Sequence, residues 1–394
     1  MANTLKLGAG KWATGKDTVL SFNDENGNFK PLPFSFSRAS NATVVNQSGL
    51  IETVGSGTPR IDFLGNTKGA LLLEPTRSNL LPYSNDFSNS AWGKTNVTLT
   101  SNAVISPDGT LNASKIVATG SDGSLQDSIT VTSGTTYTLS VYLKTVSGTL
   151  DTAISLGSPG FPQNEGEGGR YKNITVTNEW KRYTLTSTAD ASSATGIGVG
   201  GFNSFSTGEQ VYVYGAQLEQ GSYATSYIPT SGSAVTRVVD ACSQTVPDGV
   251  IGQTEGTMFF EIDFANTSGV SGAWSISSGS SANRITMNTT NLSSTQFTLS
   301  VAQNYNSGST KLTSANVTFS DNHKVAIKYS GTTLKLFVDG QLSDSVTADG
   351  FGNYTNFYVG GNQTGVGGEA RKFIQADLYD TALTDSELIA LTTI

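Results

Sequence analysis

The feature that most constrains this chain is a hydrophobic period of two. In VYVYGAQLE (211–219), Val211, Val213, Gly215 and Gln217 alternate with Tyr212, Tyr214, Ala216 and Leu218. That spacing belongs to a strand, whose successive side chains leave opposite faces of a sheet. TYTLSVYLKT (136–145) repeats it with Tyr137, Leu139, Val141 and Leu143, and EWKRYTLTSTA (179–189) follows suit. GTMFFEIDF does the same with Met258, Phe260, Ile262 and Phe264. HKVAIKYSGTTLKLFVDGQLSDSVT (323–347) reads as paired strands around Ser330-Gly331. Val325, Ile327 and Tyr329 lie opposite Leu334, Leu336 and Val338, and Asp339-Gly340 makes the next turn. Helical signals are confined to the end, in LTDSELIALTT, where Thr384 caps and Glu387 stands three residues on as a capping box. The expected fold class is all-β: an irregular N-terminal segment followed by two antiparallel β-sandwich (jelly-roll) domains.

Composition agrees with this and removes several function classes. Charged residues are 14% of the chain, against roughly 25% in an ordinary soluble protein. Glycine is abundant, at 44 residues, with Ser, Thr and Asn filling much of the rest. The formal net charge of −8 lacks the basic footprint of nucleic-acid binding. No apolar run reaches the roughly 20 residues of a membrane helix, so membrane insertion is not expected. MANTLKLGAGKWATGK has no apolar core of a signal peptide, so no export is expected. Cys242 is the only cysteine and excludes an intrachain disulfide. Sequons at Asn41, Asn96, Asn173, Asn266 and Asn316 then read as products of composition.

At 394 residues the chain is too long for one ordinary core. Residues 1–82 alternate short apolar runs with Gly and Pro, including a hairpin of ATVVN and GLIET around Gln47-Ser48-Gly49. Residues 83–230 are a run of strands, residues 231–254 a Ser/Gly/Thr-rich linker, and residues 255–394 a second run of strands. Arg237 in that linker is an expected cleavage point for trypsin. Leu71, Leu72, Leu73, Leu80 and Leu81 lie where little regular structure is expected to bury them. This points to a homo-oligomer organised through residues 1–82.

Three sets of residues carry a resemblance. Arg38-Ala39-Ser40, Pro59-Arg60-Ile61-Asp62 and Glu74-Pro75-Thr76-Arg77-Ser78-Asn79-Leu80-Leu81 resemble the N-terminal region of bacteriophage tail-fibre and head-fibre proteins. SPDGTLNASKI, NEWKRYTLT and YGAQLEQGSYATSYIPT resemble the carbohydrate-binding-module-like jelly rolls common in such fibres. HKVAIKYSGTTLKLFVDG and ADLYDTALTDSEL resemble the laminin-G branch of the concanavalin A-like sandwiches. The resemblance implies a virion component assembled in a bacterial cytoplasm, attached to other virion proteins through its N-terminal segment, trimeric, and adhering to host-surface glycans. A purely structural decoration and, more distantly, a polysaccharide depolymerase remain as alternatives.

A pyranose packs its C–H-rich side on an aromatic ring, so loop aromatics are the candidate glycan contacts. These are Phe161 and Tyr171, in or beside the Gly-rich loop 155–173, with Trp274, Tyr305 and Tyr354 in the last domain. Trp92 and Trp180 read as core. Jelly rolls of this kind often hold a structural Ca²⁺, for which Asp108 and Glu219 stand at the positions the resemblance implies, against plain readings as a turn Asp and a surface Glu. EIDFAN (261–266) is similar to the Glu-X-Asp-X-X-Glu of glycosidases on this fold, but Asn266 replaces the acid/base. Glu261 and Asp263 then read as a solvated strand face, and no catalytic residue is assigned. His323, the only histidine, reads as structural.

Overall fold

The computed structural model describes residues 4–21, 32–202, 205–264, 270–291, 296–306, 308–318, 322–361 and 371–394. It is all-β, with antiparallel sheets and the helix Asp385–Thr392. Among these residues no helix is long and apolar enough to cross a membrane. Asn266 lies outside them.

The chain forms two compact units whose boundaries differ from those its composition suggests. One comprises residues 1–48, 53–76 and 238–394, the other residues 49–52 and 77–237. The N-terminal segment is therefore not a separate module. Leu5–Gly8 pairs with Arg371–Tyr379, which also pairs with Ala70–Leu73. Leu32–Ser37 pairs with Ala241–Thr245, inside the expected linker. Leu71, Leu72, Leu73 and Leu81 are buried within the chain, so they no longer argue for an oligomer.

In the first unit two sheets enclose one core. The strand order of one is Gln341–Thr347, Thr333–Val338, Asn322–Ser330, Glu255–Asp263, Arg371–Tyr379, Ala70–Leu73, Arg60–Asp62. The other includes Asn356–Val359, Val270–Ser277 and Arg284–Asn291. Met258, Phe260, Ile262 and Phe264 point into the core as their alternation predicts. Val325 faces Val338, Ile327 faces Leu336 and Tyr329 faces Leu334. Thr384 caps the helix in a capping box with Glu387.

The residues that resemble phage fibres build a buried ionic cluster here. Arg38 donates to Asp240 at 3.1 Å, and Arg60 donates to Glu74 at 2.6 Å and also to Asp240. Arg38 further donates to the carbonyls of Ser40 and Gly55, and the Glu74 amide donates to Asp240. Burial works against the Arg60 charge, but Asp240 and then Glu74 outweigh it and hold the group firmly protonated. Two cations face two anions, so no buried charge is left uncompensated.

The second unit is a sandwich of two five-stranded sheets. One runs Val97–Ile105, Leu111–Ala118, Gln210–Gln220, Thr136–Thr145, Lys181–Thr188; the other runs Trp92–Thr95, Ser124–Val131, Ser193–Gly200, Leu150–Ser155, Tyr171–Val176. Tyr137, Leu139, Val141 and Leu143 lie in the shared core. The alternation of 211–219 is interrupted. Tyr142 pairs with Tyr214 but Ser140 with Gln217, a bulge at Gly215, whose φ is +62°. The inserted residue reverses the faces, so Val211, Val213, Ala216 and Leu218 share the core while Tyr214 lies in a different cluster. Arg237 is no exposed linker residue: Val235–Arg237 pairs with Arg77–Asn79, and Arg237 is 1% exposed.

Candidate functional site

The sheet containing Tyr171–Val176 turns Leu125, Val131, Ile154, Ile174, Val176, Ile197 and Val199 into the core. Its register places a different row on the opposite face. Gly93 pairs with Gln126, Gln126 with Gly198, Gly198 with Ser155, and Ser155 with Tyr171. The middle of this row is nearly bare. A Cβ at Gly198 would come within 2.1 Å of the Leu125 carbonyl, so the position excludes a side chain. Gln126 lies across the glycines, donating from Nε2 to Ser155 Oγ at 2.8 Å. A Cβ at Gly196 would strike its Oε1 at 2.6 Å. Gly198 and Ser155 are themselves buried, so the accessible part of this face is its edge, where Gln126 and Tyr171 are half-buried.

Tyr171 lies at this edge and does not stand alone. Its ring is stacked on Phe202, with centroids 4.5 Å apart and planes within 9°. Arg170 lies over the Phe202 ring, 4.7 Å from its centroid. All three side chains are half-buried. Phe202 reaches Tyr171 by an unusual path. Gly200, Gly201 and Phe202 have φ values of +87°, +75° and +58°, three successive left-handed residues at the end of the strand Ser193–Gly200. Glycine adopts this region freely; a bulky residue does so only when its surroundings hold it there. Nearby, Asn173 donates to Glu165 at 2.7 Å, and Lys172 pairs with Glu167 at 2.6 Å.

The other expected contacts are placed differently. Phe161 is 1% exposed and sits edge-on to Tyr137 in the core. Trp274 is wholly buried and stacked on Phe260 at 4.6 Å, and Tyr354 is 2% exposed against Tyr329. These three are core side chains: Phe161 and Tyr354 turn inward from their loops onto an apolar seat, and Trp274 points inward from the strand Val270–Ser277. Tyr305 is half-buried beside Gly350. Trp92 is core, donating to the Tyr83 carbonyl, and half-buried Trp180 donates to the Ile105 carbonyl.

The calcium donors are not brought together. Asp108 Oδ1 accepts from Ser106, from Thr110 Oγ1 and from the Thr110 amide, while Oδ2 accepts from Asn112 and Tyr214. Burial tends to raise this carboxyl, but the bonds from Thr110, Ser106 and Asn112 prevail and hold it below its usual range. Glu219 is no surface residue: it is fully buried and accepts from the amide and hydroxyl of Thr225. Tyr214, which Asp108 touches, precedes Glu219 by five residues, about 16 Å of strand. Both carboxylates are spent on neutral donors, and among the described residues no three His, Cys, Asp or Glu side chains gather as a metal site. The donor set does not fit a calcium ion.

Glu261 and Asp263 are half-buried rather than solvated, and burial raises the Asp263 carboxyl, opposed by Lys372. His323 is structural: Nδ1 contacts Asp339 at 2.7 Å and Nε2 the Thr318 carbonyl at 2.9 Å. Arg170, Gln126 and Phe202 were not singled out from sequence. The signal was GIGVGGF (196–202), in which glycine at every second strand position leaves one face bare.

No protein-family model matches the chain, and no curated protein matches it. Three solved structures are similar to part of it. The CBM40 of Ruminococcus gnavus IT-sialidase bound to α2,3 sialyllactose is 20% identical over 36% of this chain and 84% of that one, with a TM-score of 0.31. The botulinum neurotoxin serotype D binding domain is 10% identical over 38% and 39%, with a TM-score of 0.31. A native heptameric SAP-like pentraxin from Limulus polyphemus is 12% identical over 35% and 69%, with a TM-score of 0.28. Likenesses of this size say nothing about a ligand of this chain.

Proposed function

We propose that the chain is a non-catalytic glycan-binding component of a bacteriophage particle, meeting host-surface sugar at the Tyr171–Phe202 face. The observation that carries this reading is the stacked, half-buried pair of rings at the edge of the sheet. The aromatic pair gives the C–H face of a sugar ring a surface, and Gln126, Asn173 and Glu165 offer donors and acceptors for hydroxyls. The phage assignment, with attachment to other virion proteins and several copies per particle, rests on the resemblance of the Arg38, Arg60 and Glu74–Leu81 motifs.

A half-buried ring pair binds a sugar weakly, with a Kd on the order of 1 mM. Several copies on one particle raise the avidity by roughly 10²–10⁴. The test is to pass the full chain over immobilised host-surface polysaccharide and to assay the same mixture for new reducing ends. Retention without reducing ends is the expected result. New reducing ends establish a depolymerase instead, and absence of retention establishes a structural decoration.

A further inference from the structure

Charge at the same face narrows the class of sugar. Arg170 makes no ion pair among the described residues, and its Nε is buried without a hydrogen-bond partner. The other cation beside it is committed, and the two carboxylates are hydrogen-bonded. Lys172 is bound to Glu167, which also accepts from the Thr186 amide, and Glu165 accepts from Asn173. Arg170 is therefore the uncommitted cation of the face. Stacked over Phe202 at 4.7 Å, its guanidinium keeps its in-plane N–H donors for another partner. A planar fork of this kind matches a carboxylate with two parallel hydrogen bonds.

We propose that the ligand of this face is an anionic sugar carrying a carboxylate, which Arg170 takes while Tyr171 and Phe202 support the ring. This inference rests on the glycan-binding reading above. Glu165 and Asn173 then serve the hydroxyls, and Arg170 is the specificity-determining residue.

The experiment uses the full chain on an array of uronate- and sialate-containing glycans beside neutral counterparts, including methyl esters of the same acids. The acids are expected to bind at least about tenfold more tightly than their esters, the weight of a charge-assisted hydrogen bond. Arg170→Gln is expected to lose that preference yet keep the residual binding to neutral rings. Arg170→Lys, which keeps the charge but loses the fork, is expected to fall between. Tyr171→Ala is expected to weaken acids and esters alike. A preference for neutral glycans, or an acid preference that survives in Arg170→Gln, overturns the inference and leaves glycan binding standing. Failure to bind any glycan overturns both.

Discussion

Phe202 holds a backbone conformation that disfavours its own side chain. An L-residue in the left-handed region costs about 1–2 kcal/mol relative to glycine. At φ +58° the ring it gains is the one stacked on Tyr171. Phe161, on the loop that leads back to Tyr171, is a core residue, so the two aromatics that sequence groups together are placed differently. Cys242 shows the same dependence on placement. It is wholly buried, and burial, then Asp240, pushes its thiol from the ordinary 9.0 to about 12. Ellman's reagent at pH 8 is expected to find no reactive thiol in the native protein and one per chain after denaturation; rapid native labelling would contradict this burial. The linkage to stability has a definite sign. The folded state retains a proton that the unfolded state releases. The thiol's contribution to stability is thus intact below about pH 9 and declines as pH rises towards 12.

At the scale of strands, Val235–Arg237 is fixed by pairing with Arg77–Asn79, and Arg237 donates to the hydroxyls of Thr225 and Ser226. Trypsin is therefore expected to leave the bond after Arg237 intact under native conditions, although Ser, Gly and Thr surround it. Release of a fragment beginning at Val238 would show the strand to open readily. Periodicity made most elements legible: the strand faces at 258–264 and 325–338 and the capping box at Thr384 need only local pattern. It failed at Gly215, where one inserted residue exchanges the two faces, because a bulge is a property of the pair of strands rather than of either sequence. Burial of Phe161, Trp274 and Tyr354 was likewise hidden, since which side of a turn is apolar is decided by strands distant in sequence. Tyr171 was legible as a loop aromatic. Its partner Phe202 was not, because only the register brings the two strand ends together.

At the scale of the whole chain, the motifs that resemble phage fibres act first as structure. Asp240 accepts from Arg38, Arg60 and the Glu74 amide, uniting parts of the first unit separated by as many as 202 residues. Asp240→Asn leaves two buried guanidinium groups facing one carboxylate and is expected to destabilise that unit by about 3–5 kcal/mol, the cost of breaking a buried pair from one side. Urea denaturation should show a lower midpoint; an unchanged midpoint would mean that the cluster is solvated. The recognisable residues thus specify the fold, whereas the candidate face is built from rings outside those motifs.

The central claim is that the Tyr171–Phe202 pair exists to meet sugar rather than to hold the fold. Affinity electrophoresis through gels containing host-surface polysaccharide, run beside thermal unfolding, separates the two. Phe202→Gly removes the ring and relieves the left-handed backbone. The account predicts that its retardation is lost while its melting temperature stays within a few degrees of the wild type. Wild-type retardation in Phe202→Gly, or a collapse of its melting temperature, would contradict the claim.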